Sequence, residues 1–244
     1  MDKIYKAILL LGPTGTGKTP LGQQLETRGL WWKSYHHFDF GEELRRVSSL
    51  PGKTSSGDHS IPASPASLST SGKSAGTEGG SQVLLTGKEL ETINNVLENN
   101  TLLKDEDFSI AEKLLTSFIR EKIPGTDTSA DAPEDVIILN GLPRHTGQAK
   151  ELSKIVDVRL VIMLDGHPDI IKERIKLNSG GDRRGRTDDS EVEIERKLEI
   201  YKKQTKPLVE YYKKLDRTIL EIEVEIDTIP LYIIQGLETM PNLI

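Results

Sequence analysis

A chain of 244 residues can hold one α/β domain with insertions, or two small domains. Hydrophobic residues make up 35% and charged residues 29%, so part of the chain joins no core, and a net charge of -6 argues against broad nucleic-acid or membrane-surface binding. With no cysteine, disulfides, thiolate catalysis and cysteine zinc sites are excluded.

The apolar run 7–11 predicts a first strand. It is too short for a signal peptide or a membrane span, so a soluble cytoplasmic protein is expected. The run enters Gly12-Pro13-Thr14-Gly15-Thr16-Gly17-Lys18-Thr19 and then an amphipathic segment holding Leu21 and Leu25. Strand, glycine-rich turn and helix form the context of a phosphate-binding P-loop. The glycines let successive N–H groups of Gly12, Thr14, Gly15, Thr16 and Gly17 curl into one anion nest, and the helix adds its dipole. Lys18 would reach the outer phosphates of ATP, and Thr19 would offer its hydroxyl to Mg²⁺. A glycine-rich turn that binds no nucleotide is the bland alternative, and the two matching flanks argue against it.

Pro20 is tolerable in a first helical turn, where the N–H it lacks has no intrahelical partner. Trp31-Trp32 and His36-His37 read as packing and surface residues at a strand entry, with metal binding as the lesser alternative. Phe38-Asp39-Phe40-Gly41 reads as a strand end, with a helix opening at Glu42. From 51 to 82 Gly, Ser, Thr and Pro dominate, which predicts a flexible insertion; a folded recognition loop is the alternative. Thr86-Gly87-Lys88-Glu89 is a capping box for a helix with Leu90, Ile93 and Leu97 on one face. Ile110, Leu114 and Phe118 mark a second helix, and the two suggest a small helical unit between strands. A loop is expected over 125–133. The apolar runs 136–139 and 160–164 predict parallel strands covered on both faces. The first ends in Asn140-Gly141-Leu142-Pro143-Arg144, and Pro168-Asp169 opens a helix after the second. The stretch 179–186 is rich in glycine and arginine. Ser190-Glu191-Val192-Glu193 is another capping box, with Ile194, Leu198 and Tyr201 inward, and Pro207 kinks or restarts that helix. A closing strand over 219–224 and a helix over 231–237 end the chain. Alternating strands and helices predict a parallel sheet with ligands beyond its carboxyl edge.

Taken in order, the P-loop, Phe40-Gly41-Glu42-Glu43-Leu44-Arg45, Asn140-Gly141-Leu142-Pro143-Arg144 and Gly185-Arg186-Thr187-Asp188-Asp189 resemble the adenylate kinase family of nucleoside monophosphate kinases. The resemblance extends to the stretch 100–106, similar to the family's base-pocket segment, and to Thr205-Lys206-Pro207-Leu208. It covers nearly all of the chain except 51–82. It implies a three-layer P-loop NTPase fold of about five parallel strands flanked by helices. A single kinase domain over 1–244 would carry a helical monophosphate-binding insertion at 41–122 and a short lid at 177–189 without a metal site. It also implies a monomer with ATP and a nucleoside monophosphate, most simply AMP, as partners.

By the same resemblance Arg45, Gly41, Leu103, Arg144, Gln148 and Lys197 hold the monophosphate, and Arg174 and Arg186 lie over ATP. Lys18, Arg144, Arg174, Arg183 and Arg186 would surround the transferred group. The chemistry requires as much, because phosphoryl transfer rests on positioning and charge stabilisation. For Arg183 and Arg184 solvated lid charge is the alternative reading. The chain departs from the family at several positions. Thr19-Pro20 replaces Gly-Thr. Asn140 replaces the acidic residue near the metal, for which Asp39 is expected to compensate, so that Thr19 and Asp39 form the expected metal site. Asn178 and Lys197 stand where arginines are usual, with Arg183 and Arg196 near enough to substitute. Phe40 replaces a small hydroxyl residue beside the acceptor base. These departures keep two other readings open: a kinase for another monophosphate or small metabolite, and a nucleotide-binding regulator with weak turnover.

Overall fold

The computed structural model describes residues 3–49, 59–61, 83–123, 133–183 and 190–244. Strand β1 (Tyr5–Leu11) leads to helix α1 (Lys18–Arg28), and β2 (Lys33–Asp39) to α2 (Phe40–Ser49). A short pair, β3 (His59–Ile61) and β4 (Val83–Leu85), precedes α3 (Gly87–Glu98) and α4 (Phe108–Lys122). Then come β5 (Glu134–Asn140), α5 (Thr146–Leu152), β6 (Val156–Asp165), α6 (Pro168–Leu177) and α7 (Glu191–Ile200). A π-helical turn (Tyr201–Thr205), α8 (Leu208–Lys213), β7 (Thr218–Glu223) and α9 (Pro230–Glu238) complete the order.

Five strands form one parallel sheet in the order β2-β5-β1-β6-β7. Alternate residues of each central strand serve opposite cores, which is why these runs are apolar without interruption. Ala7, Leu9 and Leu11, with Ile137 and Leu139, pack against α4, α5 and α8. Ile8 and Leu10, with Val136 and Ile138, pack against Leu21 and Leu25 of α1 and Ile234 and Leu237 of α9. The result is three layers, helix on sheet on helix. Because β5 and β6 flank β1 on opposite sides, the chain reverses direction across the sheet at the carboxyl end of β1. That is where an open parallel sheet leaves a crevice.

Both predicted capping boxes form, with Thr86 and Glu89, and Ser190 and Glu193, exchanging side-chain and backbone bonds. Helix α2 begins at Phe40, ahead of the predicted start, because Asp39 Oδ1 accepts from Glu42 N–H at 3.0 Å and caps it. Pro207 restarts the helix: Lys206 N–H reaches back to the Tyr201 carbonyl at 2.8 Å, and α8 follows the proline directly. The tryptophan pair makes a turn with positive φ at both Trp31 and Trp32, and Lys33 N–H donates to the Leu30 carbonyl at 3.1 Å. Trp31 packs on the α1–α9 core, while Trp32 is exposed.

Within the stretch predicted to be flexible, His59–Ile61 instead forms a strand, antiparallel to Val83–Leu85. Val83 and Leu85 are buried, so β4 is already anchored and offers a fixed edge to pair with. The remainder of 51–82, namely 51–58 and 62–82, lies outside the described residues, as does 125–132 of the predicted loop. No helix among the described residues is long and apolar enough to cross a membrane.

Helix α1 is held close to β2 by a small residue. A β-carbon at Gly22 would lie 2.3 Å from both Cδ2 and Nε2 of the His37 ring. Gly22→Ala is therefore expected to lower stability by about 1–3 kcal/mol despite alanine's better helix propensity. Urea unfolding checks this, and an unchanged or raised midpoint would refute the tight packing.

Candidate active site

The loop after β1, the ends of β2 and β5, and the residues following α6 meet above the carboxyl edge of the sheet. They enclose a cleft of about 840 Å³. Gly12, Thr14, Gly15, Gly17, Lys18, Thr19, Asp39, Gly41, Arg45, Leu103, Arg144, Gln148, Arg183 and Lys197 all line it. Thr16 and Arg174 are buried beside the loop instead, and Arg186 lies outside the described residues.

Two glycines set the loop's path. A β-carbon at Gly12 would fall 2.2 Å from the Leu164 carbonyl oxygen, and one at Gly15, where φ is +83°, would fall 2.5 Å from Ile175 Cγ1. Any larger residue would push the loop off β6 or α6. Thr16 braces the curl by donating to the Pro13 carbonyl at 3.0 Å. Lys18 Nζ donates to the carbonyls of Gly12 and Pro13 at 2.8 and 2.7 Å. Desolvation brings the Lys18 ammonium from 10.5 down to about 7; Arg144 and Arg183 push it the same way, and Asp39 and Asp182 oppose them.

Arg144 follows the turn after β5, where Leu142–Pro143 is cis, and its backbone N–H donates to Gln148 Oε1 at 2.8 Å. Burial lowers the Arg144 guanidinium from its ordinary value, with Asp39 offsetting part of the effect. Gln148 is wholly buried, and its amide also donates to the Leu103 carbonyl at 2.9 Å. His145 reaches the same carbonyl through Nε2 at 3.2 Å and Asp105 through Nδ1 at 3.0 Å. Gln148 and His145 thus tie the segment around Leu103 to α5.

Arg174 bridges two loops with its guanidinium. It donates to the Gly15 carbonyl at 3.1 Å and to the carbonyls of Glu225, Ile226 and Thr228. Arg183 is buried, and its two terminal nitrogens each lie 3.3 Å from Thr14 Oγ1. That burial overturns the solvated-charge alternative for this residue. Asn178 adopts the left-handed conformation that ends α6, and its Oδ1 accepts from Arg183 N–H at 3.1 Å. Arg45, exposed on α2, and Lys197 of α7 line the same cleft.

At the centre, Thr19 Oγ1 donates to Asp39 Oδ2 at 2.7 Å. Asn140 Nδ2 donates to that same carboxylate oxygen at 2.7 Å and to Thr19 Oγ1 at 2.9 Å. Asp39 and Asn140 are partners in the β2–β5 register, so the neighbouring strand ends bring them together. Sequence reasoning passed over Asp182, which lines the cleft and acts on Lys18. Its signal was a lone carboxylate between Gly180-Gly181 and a run of arginines. His145 was also missed, although it directly follows Arg144.

A strand, glycine loop and helix that present Lys18 and Thr19 at the edge of a five-stranded parallel sheet define a P-loop NTPase fold. No family model matches the chain. An adenylate kinase of Synechococcus sp. (strain WH7803) is 26% identical over 209 residues, 83% of this chain and 82% of that protein. An adenylate kinase of Corynebacterium aurimucosum is 30% identical over 122 residues, 48% of this chain and 64% of that one. An adenylate kinase of Prochlorococcus marinus (strain MIT 9301) is 37% identical over 78 residues, 30% of this chain, and the match spans 40% of that relative's length. The chain is similar to adenylate kinases over most of its length.

Proposed function

We propose that the chain transfers the γ-phosphoryl group of ATP to a nucleoside monophosphate, with AMP as the acceptor (ATP + AMP = 2 ADP). One observation carries the reading: the cleft that holds the phosphate loop is lined as well by Arg45, Arg144 and Lys197, cations enough for a second anionic substrate. Two anionic substrates placed end to end in it would put the γ-phosphate between Lys18 and Arg144. An acceptor phosphate oxygen then attacks the γ-phosphorus, the bond to the β–γ bridging oxygen breaks, and ADP leaves. Lys18, Arg144, Arg174, Arg183 and Arg186 would stabilise the charge that spreads over the transferred group. In this reading 41–122 is the acceptor-binding arm and 177–189 a short lid that excludes water, so that transfer outcompetes hydrolysis.

Mg²⁺, bound with ATP, would neutralise charge on the phosphates. Thr19 and Asp39 fit such an ion. The Thr19 hydroxyl donates its hydrogen bond to the carboxylate and keeps a lone pair for a cation. Among the described residues no three His, Cys, Asp or Glu side chains form a metal cage. Phosphate oxygens and water would therefore supply most ligands, as Mg²⁺ prefers.

Phe40 is buried at the acceptor end and lines the cleft. Its bulk favours, as the second reading, a monophosphate other than AMP. A coupled assay of ADP formation with Mg-ATP and each nucleoside monophosphate in turn tests both. Turnover with AMP above all others is expected. Preference for another base would change the acceptor only, and ATP binding with no acceptor-stimulated turnover would overturn the kinase reading.

A further inference from the structure

We infer that Asn140 is a positioning residue of the metal site, whose amide fixes the Asp39 carboxylate and orients the Thr19 hydroxyl toward the nucleotide's divalent cation. The inference rests on the nucleotide-binding reading above and adds to it a residue with no charge of its own.

The argument is one of donors and acceptors. A carboxylate can only accept, so the 2.7 Å contact between Thr19 Oγ1 and Asp39 Oδ2 must spend the hydroxyl's single proton. The contact at 2.9 Å from Asn140 must then be a donation into a Thr19 lone pair. The amide cannot be turned round. With its oxygen facing Asp39 Oδ2 at 2.7 Å, two acceptors would meet with no proton between them. Both amide hydrogens are therefore committed, one to each partner, and the Asn140 side chain is almost wholly buried. Thr19 is left with one lone pair, which its two fixed hydrogen bonds orient.

The other carboxylate oxygen, Asp39 Oδ1, caps α2 through Glu42 N–H, so the same group is held from both sides. Charge explains why an amide stands at position 140. A second carboxylate there would meet the first at hydrogen-bonding distance, where two anions repel. One anion on either of the two register-paired strand ends serves Thr19 equally well, provided that the other position donates. Asparagine at position 39 can also keep the cap on α2.

The test measures Mn²⁺ binding to the protein–ATP complex by electron paramagnetic resonance, without acceptor, beside metal-free ATP binding by calorimetry. Asn140→Ala is expected to weaken Mn²⁺ binding about tenfold, as losing a group that orients a metal ligand does, and to leave metal-free ATP affinity within about twofold. Asp39→Asn should weaken Mn²⁺ binding about as much or more, and the exchange Asp39→Asn/Asn140→Asp should recover most of that loss. Mn²⁺ affinity unchanged in Asn140→Ala, or an exchange variant no better than Asp39→Asn alone, would overturn the positioning role. If Asn140→Ala proves insoluble, the exchange variant decides the matter. Wild-type protein that fails to bind Mn²⁺ with ATP would instead overturn the nucleotide reading itself, and this inference with it.

Discussion

Arg144→Ala is expected to lower kcat about 10³-fold while ATP affinity changes only a few fold. Three features make this side chain costly to lose. It stands at the carboxyl edge of a central strand, in a turn whose register is held by the bond from its own N–H to Gln148. It is desolvated, so its charge acts through a poorly screening medium. It lies close enough to Lys18 to depress that lysine, so both cations face the same space. Arg144→Lys should recover little, because an ammonium cannot reproduce two parallel N–H contacts from a rigid fork. Steady-state kinetics with AMP as the varied acceptor check this, and kcat within tenfold of wild type would contradict the assigned role.

Lys18→Ala should reduce turnover by about 10³-fold or more, because phosphate charge that builds up in a dry site would lose its nearest point charge. On the proposed function the same residue would tie nucleotide binding to pH. An ordinary lysine value is 10.5, and in the cleft Lys18 sits at about 7. ATP phosphates beside it would favour the ammonium and raise that value, so binding above pH 7 would take up a proton. Affinity then falls as pH rises from about 7 toward the bound-state value. Calorimetry in buffers of differing ionisation enthalpy measures the uptake, and Lys18→Met should abolish it.

The sign for folding stability is the reverse. Between about 7 and 10.5 the unfolded chain holds more protons at this group than the folded one. The Lys18 contribution to stability therefore improves as pH rises through that window, and its burial penalty is complete below it. Lys18→Met should be more stable than wild type at pH 6. A less stable variant at that pH would contradict the desolvation argument.

Much of this molecule was legible locally. The uninterrupted apolar runs predicted strands buried on both faces, since such runs have no other means of covering two sides of a sheet. Thr86 with Glu89, and Ser190 with Glu193, marked helix starts because a capping box is made within four residues. The glycine loop was readable for a similar reason, its steric demands being set by short-range backbone geometry. Charge in the cleft was partly legible too: Arg45 and Arg144 come shortly after the ends of β2 and β5, which a parallel sheet brings to one edge.

What the sequence determined by itself was thus the fold class, the phosphate loop and the strand ends from which side chains would be drawn. Only the tertiary structure decided how those side chains pair. Thr19 meets Asp39 across 20 residues of chain and Asn140 across 121, and no local pattern encodes such contacts. The strand at His59–Ile61 was hidden because its partner edge, not its composition, stabilises it. Arg174 was placed near the P-loop by motif, but its bonds to the carbonyls of 225–228 follow from packing between α6 and the segment after β7. Hydrogen-bonding partners distant in sequence are chosen by the register of neighbouring strands and by the path of the chain between them. That is why Asn140, a departure from the family pattern when read alone, becomes intelligible once β2 and β5 stand side by side.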